Sequence, residues 1–244
     1  YHLKELLGEH YKIAISDSTG AAPGRRGNGE LLAFLYNSKR IEQTEVASDL
    51  SFDRTYIHNR LFDHRKAITK SLNKHNEDIK EWEAKVIANK ALGKRRPTKP
   101  TQSIPVFLSF IRQPHCVSFR IKGAAGTEPY NFIAVNAHLL YGKSKSEREL
   151  EFKALIEWLT LRSKKIRTSR HPNLILLGDC NLDFGPSDVM REDIDALLKS
   201  LNKTYLKSKK AADANFPLLS EHPKHGYIKT SLRQTATYDQ VGIF

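Results

Sequence analysis

The stretch Asn173-Leu-Ile-Leu-Leu-Gly178-Asp179-Cys180-Asn181 constrains this chain more than any other. The apolar run Leu174 to Leu177 has the pattern of a buried strand, and Gly-Asp-x-Asn ends it with two oxygen-donor side chains. Residues two apart in extended chain share a side, so Asp179 and Asn181 point the same way at the strand's end. Hard divalent cations such as Mg²⁺ favour such donors. A Gly-Asp pair after a strand is also an ordinary turn.

A buried strand requires a sheet around it, and the chain supplies short β-branched and aromatic runs separated by turn residues. The candidates are Tyr11 to Ser16, Glu30 to Tyr36, Val106 to Ile111, Val117 to Ile121, Asn131 to His138, Leu174 to Leu177 and Tyr238 to Ile243. Glu147 to Ser163 reads as a helix with Leu150, Ala154, Leu155, Trp158 and Leu159 on one face. The expectation is an α/β (α+β) domain spanning 1–244, with sheets packed on one another and helices outside.

Ser51 to Thr101 differs. Leu61, Ile68, Leu72, Ile79, Trp82 and Val86 follow helical steps among charged residues, which predicts one long helix or a hairpin broken near Asn73 to Asn76. Arg65, His75 and Asn89 interrupt the steps and exclude a long coiled coil. This segment reads as a helical insertion between two strands. Of the chain's net charge of +13, Ser51 to Pro100 carries +7, from 13 Lys/Arg against 6 Asp/Glu.

A basic molecule attracts polyanions, because each phosphate neutralised releases condensed counterions, and nucleic acid is the commonest such partner. A basic helix face is equally often plain solvated surface, and the insertion could also serve as an arm for a protein partner. Two cysteines, Cys116 and Cys180, are too few for a disulfide scaffold or a cysteine-based zinc site, so a reducing compartment, the cytoplasm, is expected. No apolar run is long enough to span a bilayer.

Other residues carry chemistry. His138 ends a strand and can exchange a proton near neutral pH, although a lone histidine is more often structural. Glu30 opens another strand and could fix an imidazole tautomer, or lie exposed at an edge. Asp239 sits within the apolar run Tyr238 to Ile243, an expensive place for a carboxylate unless it is bonded or catalytic. Arg112, between two strands, could hold a phosphate oxygen or belong to a plain loop.

The ordered series of Glu30 before Leu-Ala-Phe-Leu-Tyr, Arg112-x-Pro114 with Phe119, Asn136-x-His138-Leu139, Arg148-x-x-Glu151, Gly178-Asp179-x-Asn181 and Tyr238-Asp239 resembles the endonuclease/exonuclease/phosphatase superfamily, the deoxyribonuclease I-like proteins. The resemblance implies a four-layered α/β sandwich, two mainly antiparallel sheets with outer helices, and a metal-dependent phosphodiesterase site at strand ends. By that resemblance His138 contacts the scissile phosphate or protonates the leaving oxygen, with Glu30 as its partner. Asp179 handles the attacking water or metal, Asn181 binds phosphate or metal, and Asp239 stands beside the water. Arg112 contacts phosphate, Asn136 and Tyr238 support the site, and Arg148 pairs with Glu151. The cofactor implied is Mg²⁺, or Mn²⁺.

The family's first strands, ending in Asn and in Gln-Glu, and its closing Ser-Asp-His are not found here, so the chain reads as an interior portion of a longer protein. Poor Mg²⁺ binding and little cleavage by the chain alone are then expected. The function this implies is phosphate-ester hydrolysis by a nuclease acting on DNA or RNA. The alternatives are a lipid or inositol-phosphate phosphodiesterase of the same fold, and a nucleic-acid or protein-binding module without turnover.

Overall fold

Short strands with alternating burial build the centre of the molecule, whose computed structural model describes residues 2–17, 30–51, 54–141, 145–164, 171, 173–182, 188–205, 214–219 and 221–244. The strands are β1 (Tyr11–Ile15), β2 (Ala33–Asn37), β3 (Ile41–Asp49), β4 (His115–Ile121), β5 (Tyr130–His138), β6 (Asn173–Asp179) and β7 (Asp239–Ile243). β1 and β2 pair antiparallel as a ribbon, and the other five form a sheet in the order β3-β4-β5-β6-β7. Only the β5–β6 pair of that sheet is parallel, because helix α4 (Lys145–Lys164) crosses over between the two strands.

Alternation sorts the side chains onto two faces. Ile133, Val135, Ala137, Leu174 and Leu176 join Phe152, Leu155, Ile156 and Leu159 of α4 and Ile194 and Leu198 of α5 (Asp188–Tyr205) in one core. On the opposite face Val117, Phe119 and Ala134 pack with Ala14 of β1 and Phe34 and Tyr36 of β2. The described residues thus stack as ribbon, sheet and helices, the mixed α/β arrangement of two packed sheets with outer helices that the sequence implies. A short helix, α1 (His2–Leu7), precedes the ribbon. The ribbon packs against β4 and β5, and beyond it Leu177 and Ile243 lie exposed on the same face of β6 and β7.

Several expectations change. Val106 to Ile111 is not a strand: Pro105 precedes it, and Val106, Phe107 and Phe110 are buried at spacings that no two-residue alternation fits. β3, by contrast, is a strand that its polar composition hides. It is an edge strand, bonded on one side only, with a register shift between Gln43 and Ala47. Glu30 lies three residues before β2 instead of opening it, although the Ser16–Leu32 bonds continue the ribbon toward it.

Between β3 and β4 run α2 (Arg54–Asp63) and the 27-residue α3 (Arg65–Ala91). Of the two expectations, one long helix or a hairpin broken near Asn73 to Asn76, the long helix holds across those residues. Asparagine and histidine cost a helix only tenths of a kcal/mol, about 0.7 at most, and the interruption falls at His64 instead. His75 and Asn89 do not disrupt the stripe but join it, half-buried alongside Ile68, Ser71, Ile79, Trp82 and Val86. The chain returning from α3 bonds to that stripe: Ser71 Oγ donates to Ser103 O (2.7 Å), Trp82 Nε1 to Pro97 O (3.0 Å) and Asn89 Nδ2 to Arg95 O (2.9 Å). No residue of α3 is buried.

At Gly178 a Cβ would meet the carbonyl oxygen of Ala137 at 1.9 Å, so only glycine lets β6 approach β5 here. Gly178→Ala is expected to destabilise the fold by about 1–3 kcal/mol through overpacking, read as a lowered urea midpoint.

Candidate functional site

Strand register assembles the site. His138, the last residue of β5, pairs with Asp179, the last of β6, which pairs in turn with Asp239, the first of β7. Three strands thereby bring an imidazole and two carboxylates into one row at a single end of the sheet. Paired residues on neighbouring strands point to the same face, here the one turned toward the ribbon.

The row is extended by Glu30 and Arg112. His138 Nδ1 lies 2.5 Å from Glu30 Oε1, and Arg112 Nε donates to Glu30 Oε2 over 2.5 Å. Arg112 Nη1 also donates to the carbonyls of Leu139 (3.1 Å) and His138 (3.4 Å), which commits this guanidinium to bracing the strand end. Burial pushes the Glu30 pKa up. The hydrogen bond and charge of His138, with the Arg112 guanidinium, outweigh it and hold the carboxyl below its ordinary value. With Nδ1 engaged by a carboxylate, His138 turns Nε2 toward Asp179, whose Oδ2 is 4.0 Å away.

Asp179 Oδ1 accepts the backbone N–H of Asn181 (2.8 Å), closing a local turn that places Asn181 at φ 50°. Asn181 is buried and its Nδ2 donates to Leu139 O (2.8 Å), leaving the side-chain oxygen and one N–H for a ligand. Asp239 is not buried within its strand as its apolar neighbours suggest. It opens β7 and is exposed, so its charge carries little desolvation cost. Thr230 Oγ1 accepts the backbone N–H groups of Tyr238 and Asp239, and the Tyr238 carbonyl accepts Cys180 N–H (2.8 Å). Asn136 ties β5 to β2 through Nδ2 to Ala33 O (3.2 Å).

Two supporting groups were not legible as such. Glu151 of α4 was expected to pair with Arg148. Its carboxylate accepts Ile111 N–H (3.0 Å) at one oxygen and Leu140 N–H at the other, clamping the segments that carry Arg112 and His138. Burial raises its pKa, against those two bonds. The second group lies one step into the sheet, where Asp49, His115 and Asn136 align across β3, β4 and β5. His115 Nδ1 is 2.7 Å from Asp49 Oδ1, and the ring stacks on Phe34 at 5.9 Å. Nothing in their spacing, 66 residues apart, joins them in the sequence.

The donor set bears on a cation. Among the described residues no three His, Cys, Asp or Glu groups converge as a metal cage. Mg²⁺ does not need one: it keeps several waters and is held by one or two carboxylates. Asp179 and Asp239 on adjacent strands, with the Asn181 side-chain oxygen, fit that habit.

No protein-family model matches the sequence. No curated protein matches it significantly. Solved structures similar to the chain include the human Nocturnin catalytic domain with bound sulfate, at 11% identity and TM-score 0.44, covering 99% of this chain and 62% of that one. An endonuclease/exonuclease/phosphatase family protein from Bacteroides thetaiotaomicron is similar at 11% identity and TM-score 0.41, covering 96% and 59%. The mannosyl-6-phosphatase Bt3783 of the same organism is similar at 14% identity and TM-score 0.39, covering 96% and 62%. The chain therefore spans about three-fifths of the length of these structures. At such identities the likeness concerns the fold alone, and the residues of this chain carry the chemistry.

Two outcomes are expected. Glu151→Ala removes the acceptor of two N–H groups and should cost about 1–3 kcal/mol, seen as a lower melting temperature. For Glu30 the folded carboxyl holds its proton less tightly than the unfolded one, so its stabilising effect exists above the ordinary carboxylate pKa. That effect is lost as pH falls through the folded value, and Glu30→Gln should flatten this acid limb in a melting-temperature profile.

Proposed function

We propose that the chain belongs to a divalent-metal-dependent phosphodiesterase that hydrolyses a nucleic acid, DNA or RNA, by in-line attack of water. The observation that carries this reading is the row His138, Asp179, Asp239 with Glu30 bound to His138 Nδ1. A phosphate ester lying over the row would meet an imidazole Nε2 on one side and two carboxylates on the other.

In that arrangement Asp179 and Asp239 orient the water and accept its proton, the role of a general base. His138, oriented through Nδ1–H by Glu30, donates from Nε2 in its doubly protonated form, to the phosphate as charge develops or to the departing oxygen. Arg112 keeps Glu30 ionised and aimed. Asn181, anchored on Leu139 O, offers its remaining N–H to a phosphate oxygen. A bound Mg²⁺ on Asp179, Asp239 and Asn181 would supply neutralisation of the developing negative charge.

The choice of nucleic acid over a lipid or inositol phosphate rests on the net charge of +13 and pI near 9.7. No helix among the described residues is long and apolar enough to cross a membrane. Cys116 and Cys180 are both buried free thiols, which accords with a reducing compartment, and we place the protein in the cytoplasm.

The test is hydrolysis of plasmid DNA, single-stranded RNA, sphingomyelin and inositol phosphates by the full-length protein that contains this chain, with Mg²⁺ or with chelator. Nucleic-acid cleavage that chelator abolishes, and that falls by about 10²–10⁴-fold in His138→Ala and in Asp179→Ala, is the expected result. Cleavage retained in both variants would remove this row from the mechanism. Preference for the lipid or inositol substrates would replace nucleic acid as the substrate class.

A further inference from the structure

The α2–α3 segment leaves and re-enters the sheet at the end where the row lies. β3 ends at Asp49 and β4 begins at His115, which pair with each other, and His115 pairs with Asn136, two residues before His138. The returning limb carries Arg112 directly into the site. The helix that rises from this rim, α3, would be on the order of 40 Å long at about 1.5 Å per residue.

Charge along α3 is segregated. Arg65 to Asn76 contains four basic residues, Arg65, Lys66, Lys70 and Lys74, and no acidic one, whereas Glu77 to Glu83 contains four acidic residues. Lys66, Lys70 and Lys74 follow one another at four-residue steps and so line one side of the helix. All three are exposed, and among the described residues no carboxylate pairs with them, although Asp78 stands four residues after Lys74. By comparison, Lys85 at the far half pairs with Glu81 at 3.5 Å. Arg65 is fixed at the base, its guanidinium over the Phe62 ring at 4.4 Å and its Nη1 donating to Phe62 O.

The basic half is also the half nearest the sheet. Ser71 bonds to Ser103, and the chain from there runs through Ile104 to Ile111, whose N–H is held by Glu151. The opposite side of α3 is closed by the returning chain, with Trp82 bonded to Pro97 and flanked by Arg96 and Lys99. The lysine side has no such cover. Thr69, Asn73 and Glu77 flank it, so it lacks the apolar face that a membrane-surface helix sinks into lipid.

We propose that Lys66, Lys70 and Lys74 form a track for the phosphodiester backbone of the substrate nucleic acid, beside the scissile phosphate. The track runs eight residues, about 12 Å, or three to four base steps at about 3.4 Å per strand. It positions the strand and does no chemistry. This rests on the nucleic-acid reading above and adds how that substrate is gripped.

The test compares two triple variants of equal charge change, Lys66→Gln with Lys70→Gln and Lys74→Gln, and Lys80→Gln with Lys85→Gln and Lys90→Gln. Binding of a short fluorescent DNA duplex is followed by anisotropy across a salt series, with vesicles containing phosphatidylserine as a second ligand and circular dichroism as the check on folding. The near triple should lose at least tenfold in affinity at about 0.1 M salt, and its slope of log K against log salt should fall by up to about 3. The far triple should lose much less. Equal losses would mean bulk charge and would overturn the track, as would no loss, no binding of the duplex by the parent chain, or a loss confined to vesicles. Binding in this pattern with no cleavage by the full-length protein overturns the proposed function and leaves the track. Cleavage of nucleic acid with equal losses does the reverse.

Discussion

The parallel pairing of β5 with β6 is the constraint on which the rest of the site depends. It is tight enough that Gly178 has no room for a side chain, and it continues past the strand ends, where Leu139 N–H donates to Asp179 O and Asn181 Nδ2 donates to Leu139 O. A slip of one residue would turn every side chain to the other face. If β6 slipped, Asp179 would point at the helices while Leu174 and Leu176 would leave the core. Burial of Ile133, Val135, Leu174 and Leu176 excludes that slip, so the apolar layer fixes where the polar row stands.

Around the row, charge is balanced by placement more than by numbers. Arg112 gives Glu30 a second partner besides His138, so that the carboxylate is satisfied at both oxygens. Glu151, by contrast, faces two backbone N–H groups, and desolvation dominates its titration. The crossover helix that makes β5 and β6 parallel thus also supplies the clamp on the loops at their ends. Topology and electrostatics come from the same segment, α4.

Parts of this were legible because they are local. Leu174 to Asn181 names its strand and donors within nine residues, and the Leu155 and Leu159 face of α4 repeats at helical spacing. Elements whose partners are distant were not. β3 needs little apolar surface because it is bonded on one side, and α5 was missed although Ile194 and Leu198 mark its buried face. Glu30 was legible as a histidine partner, but its position ahead of β2 was not, since an extended approach continues the strand pattern without pairing. Asp49 with His115, and Glu151 with two backbone amides, depend on register and crossover geometry that no single window contains. The continuous α3 was one of two readings of its segment, and what decides between them, the returning chain that bonds to the helix, lies outside the window.

The partial cover given by the β1–β2 ribbon gives the row two unlike flanks. Side-chain exposure is 11% at Arg112, 35% at Glu30, 27% at His138 and 37% at Asp179, and Asp239 stands open beside the bare Leu177 surface. A charge backed by protein is screened less than one facing bulk solvent, and in this row that charge is the Arg112 guanidinium. The Arg112 end is therefore the fixed part of the row, its geometry set by folding. The carboxylate end is the one that faces solvent. The row thus has one end set within the fold and one end open to water.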